Sequence, residues 1–299
     1  MRKKNKKWLQ FFVVGIMLLF LVLWNNQKAV LNFSKQIQNQ LFPYKQKQEL
    51  PMEGYKIDYD INTSLNAIRI TQMKEYKVRG YAYTKEEAEQ YAKVFQLLIP
   101  IEETEDSYFF KDEKAQLMIH KKSGLLQYKR TSLSSSEKDF FPSLSENRII
   151  KEAASFIQSK NLPLEYTKVV IQHHPVERQY SVYFINTLGS FHNYSYMKKV
   201  ITDEKGNILQ LDYYKIQYVS NGNFRIKTAE EAYKEMKTLY PYSIEEGLQV
   251  DIQQVELVYV ALEGIQPAYR FSGETNYGTG FEQFIPAFIF GATGGTIRE

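Results

Sequence analysis

An uncharged run of 17 residues, Trp8 to Trp24, sits directly behind five basic residues in this 299-residue chain, and no other segment narrows its folding options as much. At a rise of about 1.5 Å per residue, a helix of that length lies at the short end of what crosses a hydrocarbon core of about 30 Å. Trp8 and Trp24 suit the aromatic belts at the two membrane interfaces, and Gly15 is the one small gap on an otherwise bulky helix. Arg2, Lys3, Lys4, Lys6 and Lys7 form the basic flank, which by the positive-inside rule keeps the N-terminus cytoplasmic and sends residues 25–299 outside. The expectation is a single-pass anchor in the cell membrane. A cleaved signal peptide is the rival, but the run exceeds the roughly 7–15 residues of an h-region, and Asn25-Asn26-Gln27-Lys28-Ala29 offers no small-x-small cleavage site.

Formal net charge is +4, and removing the five basic residues before Trp8 leaves −1 for the rest. A nearly neutral remainder argues against a nucleic-acid partner, because a polyanion needs a basic patch on the folded portion. The chain has no Cys, so disulfides and a lipid-modified cysteine anchor are excluded, and stability must come from an apolar core. Its 23 Tyr and 19 Phe suit pleated surfaces and cross-strand pairing.

After a Gln-, Asn- and Lys-rich stalk at 25–50, the pattern changes. Tyr55, Ile57, Tyr59 and Ile61 alternate with Lys56, Asp58, Asp60 and Asn62, which predicts a half-buried antiparallel strand. Strands are expected near 67–71 and 76–83. A capping box at Thr84 to Glu87 then opens a helix with Ala88, Tyr91, Ala92, Phe95 and Leu98 inward, stopped by Pro100. Short strands near 108–110, 115–120 and 125–130 complete a first α+β subdomain over 51–130. Ser- and Thr-rich residues 131–142 read as a linker to a second α+β region, 143–299. That region opens with a second expected capping box, Ser143 to Glu146, and a helix burying Ile149, Ile150, Ala153, Phe156 and Ile157. Strands follow near 166–173, 179–186, 194–202 and 208–218. A third capped helix from Thr228 turns Ala232, Met236 and Leu239 to one side, and strands near 251–262, 266–272 and 283–290 close the chain. The predicted class is α+β, an N-terminal transmembrane helix followed by two subdomains of antiparallel sheet, each packed with a capped helix.

Chemistry-bearing motifs are sparse. Gly189-Ser190-Phe191-His192 lacks the second glycine of a nucleophile elbow and falls between two strands. His173 and His174 are adjacent on a strand and so point to opposite faces, and no His-Glu-x-x-His occurs near them, His120 or His192. Asp58 and Asp60 share a strand face about 6–7 Å apart, a spacing glycoside hydrolysis could use, but alternate acids are also what a solvated face shows. Glu102, Glu103, Glu105 and Asp106 lack EF-hand spacing, and Gly278-Thr279-Gly280 lacks a third glycine and a following helix. No catalytic, cofactor-binding or metal-ligating residue is assigned.

From Asn147 to Phe290 the chain resembles the YycI and YycH family of membrane-anchored regulators of the WalK-type sensor histidine kinase. The likeness is carried by the helix at Ile149–Ile157, the hairpin Ile201 to Ile208 around Asp203-Glu204-Lys205-Gly206-Asn207, and Tyr213-Tyr214-Lys215-Ile216-Gln217-Tyr218. The helix Ala229–Leu239, Val255 to Val260 and Ile265 to Phe271 continue it, in order and spacing more than identity. Length near 300 suits the shorter member, YycI. The charged leader and the tail Gly291-Ala292-Thr293-Gly294-Gly295 depart from that pattern. The resemblance implies a non-enzymatic regulator with no cofactor, its partners the membrane, a sensor histidine kinase and a YycH-like companion. Competing classes are an anchored cell-envelope hydrolase using Asp58 and Asp60, and a PepSY-like inhibitory or ligand-binding module.

Overall fold

The computed structural model describes residues 54–97, 101–131, 144–262 and 264–289. The basic tail, the run Trp8 to Trp24 with Gly15, the stalk, positions 132–142 of the linker and Gly291 to Gly295 lie outside the described residues. No helix among the described residues is long and apolar enough to cross a membrane.

Strands β1 (Tyr55–Lys56), β2 (Asp58–Ile61) and β3 (Gln72–Gly80) precede helix α1 (Lys85–Val94). Then come β4 (Glu102–Glu103), β5 (Ser107–Lys111), β6 (Ala115–His120), β7 (Leu125–Arg130) and helix α2 (Glu146–Ser159). Next are β8 (Lys168–His174), β9 (Gln179–Leu188), β10 (Phe191–Asp203), β11 (Ile208–Tyr214), β12 (Ile216–Arg225) and helix α3 (Ala229–Leu239). The last are β13 (Tyr242–Ser243), β14 (Gln249–Ala261), β15 (Ile265–Thr275) and β16 (Gly280–Pro286).

Eight strands in the order β8-β9-β10-β11-β7-β6-β5-β4 pair antiparallel throughout. Their alternation puts Tyr108, Phe110, Leu117, Ile119, Leu126, Val182, Phe184, Val200 and Leu211 on one face, where α1 and α2 cover them. Ile149, Ala153 and Ile157 of α2 recur at helical spacing and are wholly buried there. Each such isoleucine contributes about 2 kcal/mol by leaving water. A second group, β2-β14-β15-β16, carries α3 on its face, with Ala232 and Met236 against Ile252, Tyr269, Phe271 and Ile285. The third group is the ribbon β3-β12. Single pairs join the groups into one hydrogen-bonded network: Asn193 with Tyr259, and Ile265 with Tyr76.

The α+β class and the sheet dominance agree with the sequence reading; several particulars differ. The first strand, β2, runs parallel to β14 rather than antiparallel, because it enters alongside a strand whose antiparallel partner β15 already occupies the other side. The core is not divided at residues 131–142. One cluster joins Tyr83 to Leu126 with Ile149 to Tyr213, a second joins Met73 with Ile226 to Phe288, a third joins Ile185 and Tyr194 with Val258, Val260 and Ala268, and the residues from Tyr55 onward cluster as one compact unit. The reason is pairing: β7 finds its neighbour in β11, and β3 in β12.

The capping boxes at Thr84 and Thr228 form with both reciprocal bonds, each worth about 1 kcal/mol for its helix. Ser143, where a third box was expected, lies outside the described residues; the N-cap of α2 is Ser145, whose side chain makes no capping bond. Helix α1 also stops earlier than expected, because Gln96 at φ +64° turns the chain and the Leu97 amide reaches back to Ala92 O at 2.8 Å. Leu239 stands 43% exposed rather than on the inner face of α3. The strand expected over 208–218 breaks at Lys215, whose N–H donates to Gly124 O at 2.9 Å while its own carbonyl accepts from the Tyr81 amide at 3.0 Å.

On the other face, where β10 meets β14, charges bind the strands together. Glu256 Oε2 accepts from Arg270 at 2.6 Å and from Lys168 at 3.4 Å, and His192 Nδ1 lies 3.5 Å from Oε1. Arg270 also reaches Glu282 at 2.6 Å, and Lys168 donates to Tyr194 OH at 2.9 Å. Burial alone would raise the Glu256 carboxyl, but Lys168 and Arg270 outweigh it and hold it below its ordinary value. A depressed carboxyl stabilises the fold above its unfolded value and stops doing so as pH falls through the folded value. Glu256→Gln is therefore expected to cost roughly 1–3 kcal/mol at pH 7 in urea denaturation of the full chain, and less at pH 3. An equal cost at both pH values would contradict this.

Candidate functional site

The strand break at Lys215 opens a cavity of about 200 Å³ where the eight-stranded sheet gives way to the ribbon. Its floor comes from neighbouring strands in register: Phe184 and Asn186 on β9, Tyr196 and Lys198 on β10, Tyr213 and Tyr214 on β11. Ile216 and Tyr218 of β12 close one side, and Pro163 and Glu165, from the loop that leaves α2, close the other. That loop is placed by Asn161 at φ +55°, which turns the chain out of α2, and by the Tyr213 hydroxyl donating to Pro163 O at 3.1 Å.

Strand β10 is irregular at this point. Its pairing with β9 slips between Asn193 and Lys198, and Tyr196 sits at φ +46°, a left-handed conformation that costs a non-glycine residue about 1–3 kcal/mol. The bulge turns Tyr196 against Tyr214, ring centroids 5.1 Å apart, edge to face. Behind it, Asn193 and Ser195 are wholly buried; Asn193 Oδ1 accepts from the Ser195 amide at 3.0 Å. The Asn193 amide nitrogen and the Ser195 hydroxyl make no well-formed hydrogen bond among the described residues. Asn193 does lie toward the Tyr218 hydroxyl and favours its ionised form, against the stronger effect of burial.

Burial pushes the Tyr213 and Tyr218 phenols up to about 12 and raises Tyr196 and Tyr214 as well, so all four are neutral donors at physiological pH. Lys198 is shifted the other way. Burial lowers its ammonium below the ordinary lysine value, with Glu165 partly opposing. Its Nζ lies 5.6 Å from the centroid of the Tyr213 ring, and it forms no ion pair among the described residues. Lys215 turns its own ammonium outward over Tyr81, 3.3 Å from the ring centroid. The cavity thus combines aromatic walls, neutral hydroxyls, one unpaired ammonium and a carboxylate at its rim.

The residues singled out by sequence lie elsewhere. Asp58 and Asp60 are exposed on β2, beside Gln249 and Asp251 of β14. His173 stacks on Tyr180 with centroids 4.5 Å apart, while His174 reaches Ser181 Oγ at 3.1 Å on the opposite face. His120 bonds Ser107 at 3.1 Å, and burial lowers its imidazole. Ser190 is exposed in the β9–β10 turn. Glu102 and Glu103 form β4 rather than a loop, with Glu103 held by Lys121 at 2.7 Å. No group of three or more potential ligands could hold a metal ion among the described residues. The cavity has no motif in the sequence; its one local signal is Lys215 interrupting the aromatic stretch Tyr213 to Tyr218.

No family model matches the chain, and no curated protein does. Among solved structures it is similar to an uncharacterized protein from Eubacterium rectale ATCC 33656, at 13% identity over 78% of this chain and 87% of that one, with a TM-score of 0.42. That likeness sets neither family nor function.

An ammonium kept half-buried without a partner costs stability. Lys198→Met in the full chain is expected to leave the urea midpoint unchanged or raise stability by up to about 1 kcal/mol. A loss of more than about 1 kcal/mol would instead make Lys198 part of the scaffold.

Proposed function

We propose that the chain is a non-enzymatic, membrane-anchored regulator of a two-component sensor kinase, acting through its Trp8–Trp24 helix and its extracytoplasmic portion beside a YycH-like companion. The observation that carries this reading is the charge-free run behind Arg2, Lys3, Lys4, Lys6 and Lys7, joined to a sheet-rich portion. In that portion α2, the β10–β11 hairpin, α3, β14 and β15 follow the order on which the family resemblance rests. Regulation of this kind needs a differential contact with two kinase states, and about 1.4 kcal/mol of difference shifts their ratio tenfold.

Groups suited to acid–base chemistry are engaged in holding strands together, which favours a scaffold over a hydrolase. Glu204 pairs with Arg178 at 2.6 Å, Glu103 with Lys121 and Glu256 with Arg270. The tyrosine-lined cavity favours, as a second reading, a PepSY-like ligand-binding module. Replacing Trp8 to Trp24 in the full chain with an unrelated apolar helix is expected to make kinase autophosphorylation in membranes indifferent to this protein. Unchanged regulation would remove the helix from the account, and failure to recover a histidine kinase with the native chain would remove the partner. Joint Asp58→Asn and Asp60→Asn replacement is expected to leave regulation intact; its loss would favour the hydrolase.

A further inference from the structure

We infer that the cavity between β9, β10, β11 and the loop after α2 is a binding site for a small zwitterion of the free amino-acid class. The inference stands independently of any kinase partnership.

The charges are arranged for such a ligand. Lys198 rises from β10 on the floor, and Glu165 stands at the rim, close enough to affect the lysine's proton affinity yet not paired with it. Two opposite charges that face a common space without touching leave room for a molecule carrying the reverse pair. The α-carboxylate and α-ammonium of an amino acid are fixed about one hydrogen-bond length apart, so one end can meet Lys198 while the other meets Glu165. The Asn186 side chain, also on the lining, supplies amide donors to the same space. Tyr196, Tyr213, Tyr214 and Tyr218 line the space with aromatic rings, which attract an ammonium and offer apolar area to a short side chain.

Size points the same way. About 200 Å³ is below the roughly 300–1,000 Å³ of pockets that hold drug-sized ligands, and it suits a molecule of about six to ten heavy atoms. The strain at Tyr196 marks the floor as a place where the fold forgoes stability to set side-chain direction. A bound carboxylate would also raise the proton affinity of Lys198, so the ligand offsets the cost of its burial.

The test is calorimetric titration of the full-length chain with glycine, L-alanine, D-alanine and L-leucine, alongside acetate, methylamine and N-acetylglucosamine. At least one free amino acid is expected to bind with Kd of roughly 10 μM to 1 mM, given the ligand's size. Acetate and methylamine are expected to bind at least tenfold more weakly. Lys198→Met and Glu165→Gln should each weaken binding at least tenfold, the second through an exposed side chain whose replacement leaves the fold intact. Binding of acetate as tight as that of the amino acid, tighter binding of N-acetylglucosamine, undiminished binding by Glu165→Gln, or no binding by any amino acid would each overturn the proposal.

Discussion

Two backbone hydrogen bonds at Lys215 hold the eight-stranded sheet to the β3–β12 ribbon. Its N–H is bound by Gly124 and its carbonyl by Tyr81, so the chain passes between two other backbone segments at a single residue. Only glycine permits the approach. A Cβ on Gly124 would stand 2.0 Å from Lys215 O, and one on Gly80 would stand 2.3 Å from Lys122 O. Gly124 also sits at φ +74°, which other residues seldom adopt. Because Lys215 is pinned, β11 can remain with β7 and β10 while β12 departs to pair with β3. The cavity is the space that this divergence leaves.

Apolar burial outweighs charge in this fold. Phe184, Leu117, Leu126, Ile149, Ile157 and Leu211 lie wholly or almost wholly out of water in one cluster, and Tyr269, Phe271, Ile252 and Met236 do so in a second. At about 1.5–3 kcal/mol each, either set exceeds what the Glu256 network contributes. The network's role is alignment: Lys168, Glu256, Arg270 and Glu282 fix β8, β14, β15 and β16 against one another across a seam that a single parallel backbone pair, Asn193 with Tyr259, bridges. With that surplus the molecule tolerates a strained Tyr196 at the cavity floor.

Elements driven by local rules were legible in the sequence. Thr84 and Thr228 with a glutamate three residues on, the Asp203 to Asn207 hairpin loop, and the spacing of Ile149, Ala153 and Ile157 each carry their own signature, and each is realised. Features set by distant partners were not. The break at Lys215 depends on Gly124 and Tyr81, 91 and 134 residues away in the numbering, and no period within 208–218 announces it. The parallel course of β2 depends on where β14 lies, and the apparent boundary at 131–142 is a property of composition that strand pairing overrides. The cavity belongs to the same class, since its lining comes from four separate stretches of chain.

If the Lys215 junction ties the ribbon to the eight-stranded sheet, and single pairs tie both to β14 and β15, the described residues from Tyr55 to Ile289 open as a single cooperative unit. The direct measurement is native-state hydrogen exchange at the Tyr81 and Lys215 amides of the full-length chain. Their opening free energies are expected to match those of wholly buried Val200 and Tyr269 and the global value from denaturation. Exchange at Tyr81 and Lys215 through a smaller opening, several kcal/mol below the global value while Val200 and Tyr269 stay protected, would contradict the account.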